Sequence, residues 1–207
     1  RLLSGSLAEY RRARNSWWDN IEAAIPDIGK RPVYFVSSNT HSLANIMSGF
    51  ALKKQKDLIK FLKLPGNTGL ANEWQDIQEG VSPSSCENFL YYLLRKSQRQ
   101  VEGNFLNDEQ TDYEQQHGIL RIPSKRSFDV EAQITDIKCL KPRDMDPRLD
   151  LNQKAGTFSE SDAVVLNIDY PLGLAAYDIL AEVSTRVGSI VGVYMMGKAA
   201  TLNGVVG

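Results

Sequence analysis

The sequence predicts an α/β fold: a mixed, mostly parallel central sheet with flanking helices and a helical insertion between the first strand and the later ones. Two observations carry this expectation. Continuous apolar, β-rich runs occur at 32–37 (PVYFVS), 163–168 (AVVLNI) and 190–196 (IVGVYMM), the pattern of strands buried on both faces. Stretches with helical spacing separate them, and strands alternating with helices build a layered sheet. Each of the last two runs also feeds a turn of small and polar residues, Asp169–Gly173 and Gly197–Gly204.

Taken in order, Ser6-Leu-Ala-Glu9 is a capping box that opens a helix to about Ala24, closed by Pro26. Trp17, Trp18, Ile21 and Ile25 share its inward stripe, and Arg11, Arg12 and Arg14 its solvated face. After the strand at 32–37, a helix is expected from about Ser42, bent at Ser48-Gly49. Five lysines between Lys53 and Lys63 alternate with Leu58, Ile59, Phe61 and Leu62, giving an amphipathic continuation. Leu64–Gly69 is a loop by composition, Leu70–Gln78 a short helix, and Ser84–Glu87 caps another running to about Gln100.

Residues 101–117 carry five acids and no Lys or Arg, which reads as a solvated excursion. Ile119–Ile122 and Phe128–Ile134 are expected strands, the alternation in DVEAQI suiting an edge or half-exposed strand. Pro142 and Pro147 keep the polar connection 138–161 irregular. The expected organisation is one α/β domain over 1–207: an N-terminal helix in 1–31, a helical insertion at 42–117, and the remaining strands and helix in 118–207. Gly207 follows directly on a strand and its loop, so the C-terminus is expected to be incomplete and the chain a fragment of a longer one.

Composition narrows the function. A formal charge of −1 and a pI near 6.2 argue against a dedicated nucleic-acid binder. No apolar run reaches the length of a membrane span, so no membrane partner is expected. Cys86 and Cys139 stand far apart, which fits reduced thiols and a cytoplasmic setting. With His41 and His117 as the only histidines, no metal site is expected. No cofactor fingerprint appears either: Gly204 is followed by Val, not by the Lys-Ser/Thr of a phosphate loop.

Three strand-end loops are the candidate site, because ligands of open α/β sheets bind beyond the carboxyl ends of the strands. In the first, Ser38, Asn39 and Thr40 offer hydrogen-bond donors at a helix N-terminus and His41 a proton, although Thr40 or Asn39 acting as a cap reads as well. In the second, Asp169 accepts from sugar hydroxyls or takes a proton, and Tyr170 stacks on a base; an Asp cap before Pro171 is the alternative. Gly173 lets the following helix approach closely. In the third, Gly197, Ala199, Thr201 and Asn203 allow a ligand near the backbone, and Lys198 reaches an anion or sits at the surface.

These last two loops resemble those of the nucleoside phosphorylase superfamily, which includes purine nucleoside phosphorylases and AMP nucleosidases. Asn167-Ile-Asp-Tyr-Pro-Leu172 stands where that family carries Gly-x-Gly-x-Pro-Ser, with Pro171 matching. Gly197-Lys-Ala-Ala-Thr-Leu202 stands at the Gly-Thr-Ala/Cys-Gly-Gly-Leu loop, with Gly197, Ala199 and Leu202 matching, and Val206-Gly207 looks like the start of the next strand. The resemblance covers about 162–207 and extends to the strand and turn at 32–41.

It implies a mixed sheet with flanking helices, a homo-oligomer, and a nucleoside, nucleotide or related small molecule with its base near the third loop. Asn167 and Asp169 replace the two glycines of the first motif, and Leu172 replaces the phosphate-binding serine. A leucine donates nothing to phosphate and an aspartate repels it. The resemblance therefore implies hydrolysis of an N-glycosidic bond rather than phosphorolysis, with Asp169 or His41 near the sugar. The alternative is a non-catalytic binding or assembly module of the same fold.

Overall fold

A computed structural model of the chain describes residues 7–100, 106–123, 130–151, 158–169 and 174–196. They fall into two compact units. A sheet unit comprises the described residues of Arg1–Thr40, Leu120–Ile137 and Asp162–Gly207. A helical unit comprises those of His41–Ile119 and Lys138–Ser161.

Among the described residues the sheet has five strands: β1 (Pro32–Ser38), β2 (Ile119–Ile122), β3 (Ala132–Asp136), β4 (Val164–Asp169) and β5 (Ser189–Met195), in the spatial order β2-β3-β4-β1-β5. β4, β1 and β5 run parallel and β3 antiparallel to β4, so the sheet is mixed and mostly parallel, as the apolar runs predict. β1 and β4 are paired from Val33↔Val164 to Ser38↔Asp169.

One face of this sheet is a hydrophobic core. Val33, Phe35, Ala132, Ile134, Val164, Leu166 and Ile168 alternate along their strands and pack with Trp17, Trp18 and Ile21 of α1 (Leu7–Ala24) and Ile179 and Val183 of α8 (Leu174–Arg186). Burying side chains of this size contributes roughly 1.5–3 kcal/mol each. Arg14, expected on the solvated face of α1, is instead half-buried and pairs with Glu182 of α8 at 2.7 Å. Just before β1, Arg31 donates from Nη1 and Nη2 to both oxygens of Asp136, at 3.0 and 2.8 Å, and from Nε to the Asp162 carbonyl at 2.7 Å. That bidentate fork ties the start of β1 to the end of β3 and the approach to β4.

β3 corrects the expectation of an edge or half-exposed strand. It lies between β2 and β4, and Ala132, Gln133, Ile134 and Thr135 are all buried. Its alternation is real, but the polar side of the alternation faces away from water. β5 corrects another expectation: its apolar run reads as a strand buried on both faces, but it occupies one edge of the sheet, where Val191, Val193, Tyr194, Met195 and Met196 remain exposed.

The helical unit holds α2 (Thr40–Ser48, its first residue within the sheet unit), α3 (Phe50–Lys53), α4 (Gln55–Leu62), α5 (Thr68–Gln78), α6 (Cys86–Gln100) and α7 (Asn107–Gln116). Gly49, at φ +66°, ends α2 where a bend is expected. Phe50, Leu58, Phe61, Leu62, Phe89 and Leu93 form its principal core, matching the amphipathic reading of 53–63. The acidic stretch is a further correction: α7 occupies it, with Gln110, Glu114 and His117 buried. Its inward side is polar, so no apolar stripe marks it as a helix. Among the described residues, short 3₁₀ turns at Ile137–Cys139, Pro142–Asp144 and Pro147–Leu149 run from the end of β3 through the connection, in keeping with its prolines. Among the described residues, no helix is long and apolar enough to cross a membrane.

Candidate functional site

Parallel pairing of β4, β1 and β5 brings their C-terminal ends to one edge of the sheet. Ser38 and Asp169 are register partners there, and Ser37 pairs with Met195. The Met196 N–H donates to the Ser37 carbonyl at 2.8 Å, extending that edge past β5. The Asp169 side chain is exposed, and its backbone N–H donates to the Glu131 carbonyl at 3.1 Å. Two of the three expected loops therefore start side by side, with a hydroxyl and a carboxylate at adjacent strand ends. Tyr170, Gly173, Gly197, Lys198, Ala199, Thr201 and Asn203 lie outside the described residues.

Behind that edge runs a buried polar row that sequence reasoning missed as a site. On the face opposite the hydrophobic core, Ser38 of β1 donates from Oγ to Oδ1 of Asn167 in β4 at 2.9 Å. Asn167 stands directly across from Gln133 of β3, and Thr135 follows two residues on. Gln133 is 2% exposed, Asn167 and Thr135 1% each. Yet Nε2 and Oε1 of Gln133, Oγ1 of Thr135 and Nδ2 of Asn167 have no hydrogen-bond partner. A buried, unpaired polar atom costs about 1–3 kcal/mol. A folded chain rarely carries four such atoms together without a use for them. The signal was present in sequence as Gln133, Thr135 and Asn167, each a polar residue inside an otherwise apolar strand.

Thr40 is buried at the start of α2, and Asn39 is half-buried. His41 belongs to the helical unit. Its Nε2 lies 2.8 Å from the Tyr91 carbonyl oxygen, which only accepts, so this nitrogen carries the hydrogen and donates a hydrogen bond to the backbone. The His41 carbonyl in turn accepts from Asn45 Nδ2 at 2.9 Å.

A dense polar cluster of the helical unit centres on Asp146. Its carboxylate accepts from the Tyr91 hydroxyl at 2.5 Å, from Nη2 of Arg148 at 2.6 Å, and from the Arg148 backbone N–H at 2.9 Å. Arg148 also donates to Ser85 Oγ at 2.9 Å and Asn88 Oδ1 at 3.2 Å. Hydrogen bonding to Arg148 holds the Asp146 carboxyl down at about 2 despite its burial. Burial, reinforced by Asp146, pushes the Tyr91 phenol up, and the bond to Asp146 pushes the Arg148 guanidinium up. Every strong donor here is matched, which makes the cluster a staple fastening 146–148 to α6 rather than a reactive centre.

Nearby, His117 Nε2 lies 3.1 Å from Asp144 Oδ2 and Nδ1 2.8 Å from the Tyr113 carbonyl. An open cleft of about 480 Å³ lies between Gly49, Lys53, Tyr113 and Arg143, with Lys53 Nζ 4.2 Å from the Tyr113 ring centre. Among the described residues, no group of three or more His, Cys, Asp or Glu side chains is arranged to hold a metal ion.

The sequence profile of one protein family, described as a family of unknown function (DUF6909), matches residues 1–207. The chain belongs to the DUF6909 family. No curated protein and no solved structure matches it. The description of DUF6909 assigns no activity, so a functional reading rests on the strand-end edge and the polar row behind it.

Proposed function

We propose that the sheet unit binds a nucleoside, a nucleotide or a related small molecule at the C-terminal ends of β4, β1 and β5. The observation that carries the reading is the pairing of Ser38 with Asp169 across adjacent parallel strands, in the position where open α/β sheets take ligands. In this reading the exposed Asp169 carboxylate accepts from sugar hydroxyls. The likeness of 162–207 to nucleoside phosphorylases lends the ligand class. Where the site is catalytic, the reaction is hydrolysis of the N-glycosidic bond: water's hydroxyl goes to the anomeric carbon, and the departing base takes the proton.

The test is thermal stabilisation of the protein by adenosine, inosine and uridine. At least one is expected to raise Tm in wild type, and Asp169→Ala to weaken that nucleoside about tenfold or more, the loss of a charged hydrogen-bond acceptor. No shift with any of the three, or an unchanged affinity in Asp169→Ala, sinks the proposal. Release of free base from the stabilising nucleoside separates an enzyme from a binding module.

One observation favours assembly as a second role. β5 presents a run of exposed apolar side chains at an edge of the sheet. Its sequence, Ser189–Met195, contains no charge and no proline. The occupant that suits such a strand is a second copy of the same chain.

A further inference from the structure

We infer that the Asn167–Gln133 row reads the edge of a heterocyclic base, with Asn167 as donor and Gln133 as the paired donor and acceptor. This rests on the nucleoside-binding reading above and assigns the base half of that ligand to residues outside the three strand-end loops.

Because Ser38 Oγ donates to Oδ1 of Asn167, the amide of Asn167 is turned so that its N–H₂ group is left to find another acceptor. Gln133, its register partner, has both ends of its carboxamide unengaged. An amide offers one acceptor and two donors in a plane, the complement of the adjacent donor and acceptor on a base edge. Thr135 Oγ1 adds a hydroxyl that can either give or take.

Side chains two residues apart on a strand share a face, so Asn167 and Asp169 point to the same side, roughly 7 Å apart along β4. A base at Asn167 and a sugar at Asp169 is thus the order in which one nucleoside would lie along the strand. Both amides are buried, so a ligand reaches them only when the residues over them move aside, and association is expected to be slow.

The experiment measures thermal stabilisation of the full chain by four probes: adenine, hypoxanthine, uracil and ribose 5-phosphate. Wild type is compared with Gln133→Met, which keeps length and removes both polar ends. Replacing an unpaired buried amide with an apolar chain is expected to leave the ligand-free Tm unchanged or raised. At least one base is expected to stabilise wild type and to bind Gln133→Met about tenfold to a hundredfold more weakly. Ribose 5-phosphate is expected to bind both alike.

Equal stabilisation of the two proteins by a base overturns the inference and leaves the row as a site for ordered water only. Stabilisation by ribose 5-phosphate with none by any base overturns the inference alone and spares the sugar half of the proposed function. No stabilisation by any of the four overturns both. Should Gln133→Met fail to fold, Gln133→Glu takes its place: it keeps the shape but loses the amide's donor, and the same comparison decides.

Discussion

At the scale of single residues, the strongest electrostatic commitment is Asp146, whose carboxylate is held at about 2 where 3.8 is usual, chiefly by hydrogen bonds from Arg148. The shift makes the residue a contributor of on the order of 2 kcal/mol to stability at neutral pH. The sign follows from proton uptake. The unfolded carboxyl binds a proton more readily than the folded one, so the contribution is complete above about pH 4 and disappears as the pH falls toward 2. Asp146→Asn breaks a buried charged pair and leaves Arg148 and Tyr91 facing a neutral amide. It is expected to cost roughly 3 kcal/mol at pH 6, with the gap from wild type narrowing by pH 2. Urea unfolding midpoints at the two pH values measure this, and a gap independent of pH would show that Asp146 is not held ionised by its neighbours. The residues of this staple were individually legible as Asp and Arg among prolines. Their meeting with Tyr91, 55 positions away, was not, because no local pattern encodes it.

At the scale of elements, what was legible followed hydrophobic periodicity. β1, β4 and β5 announced themselves by apolar runs, α1 and α4 by apolar stripes, and α6 by the capping pattern at Ser84–Glu87. β3 and α7 were misread for one shared reason: each turns polar side chains inward. Gln133 and Thr135 alternate with apolar neighbours as residues of a solvated face do, and α7 buries Gln110 and Glu114, with Gln110 Nε2 donating to Glu114 Oε1 at 2.6 Å. A pattern that equates polar with exposed cannot see either.

The break between α2 and α3 was legible through Gly49, and its necessity is steric as well as torsional. A Cβ built there lies 1.8 Å from the Asp144 carbonyl oxygen, whereas one built on Gly80, also at positive φ, meets nothing within 4 Å. Gly80→Ala is therefore expected to cost only the left-handed backbone, about 1–2 kcal/mol. Gly49→Ala is expected to cost that and more, because the 144–146 segment must shift away from the helix junction. Denaturant midpoints of the two variants separate torsion from clash. Equal losses would mean that the Asp144 carbonyl yields freely.

At the scale of the whole molecule, the sheet has to manage its edges. β3, β4 and β1 are interior, so β2 and β5 are the strands whose outer backbone groups have no partner among the described strands; β2 is four residues long, and β5 is the longer edge. Natural edges are blunted by lysine, proline, bulges or brevity. Across seven residues β5 has a register irregularity near its start, between Val33 and Tyr34 of its neighbour, and none of the charged or proline devices. Val193 and Tyr194 are 43% and 53% exposed. A two-fold axis through Gly192 would pair β5 with its own copy antiparallel, setting Val191 against Val193 of the second chain and joining the two sheets into one. Such a contact is isologous and closes at two copies. Val193→Lys places like charges near the centre of that pairing and is expected to weaken self-association about tenfold or more. Tyr177→Lys, which removes an exposed aromatic from α8 and leaves the backbone of β5 untouched, is expected to change it little. Sedimentation velocity across a concentration series reads both. A wild-type protein that stays monomeric at every concentration, or a Val193→Lys variant that associates as wild type does, would show that β5 is not the joining edge.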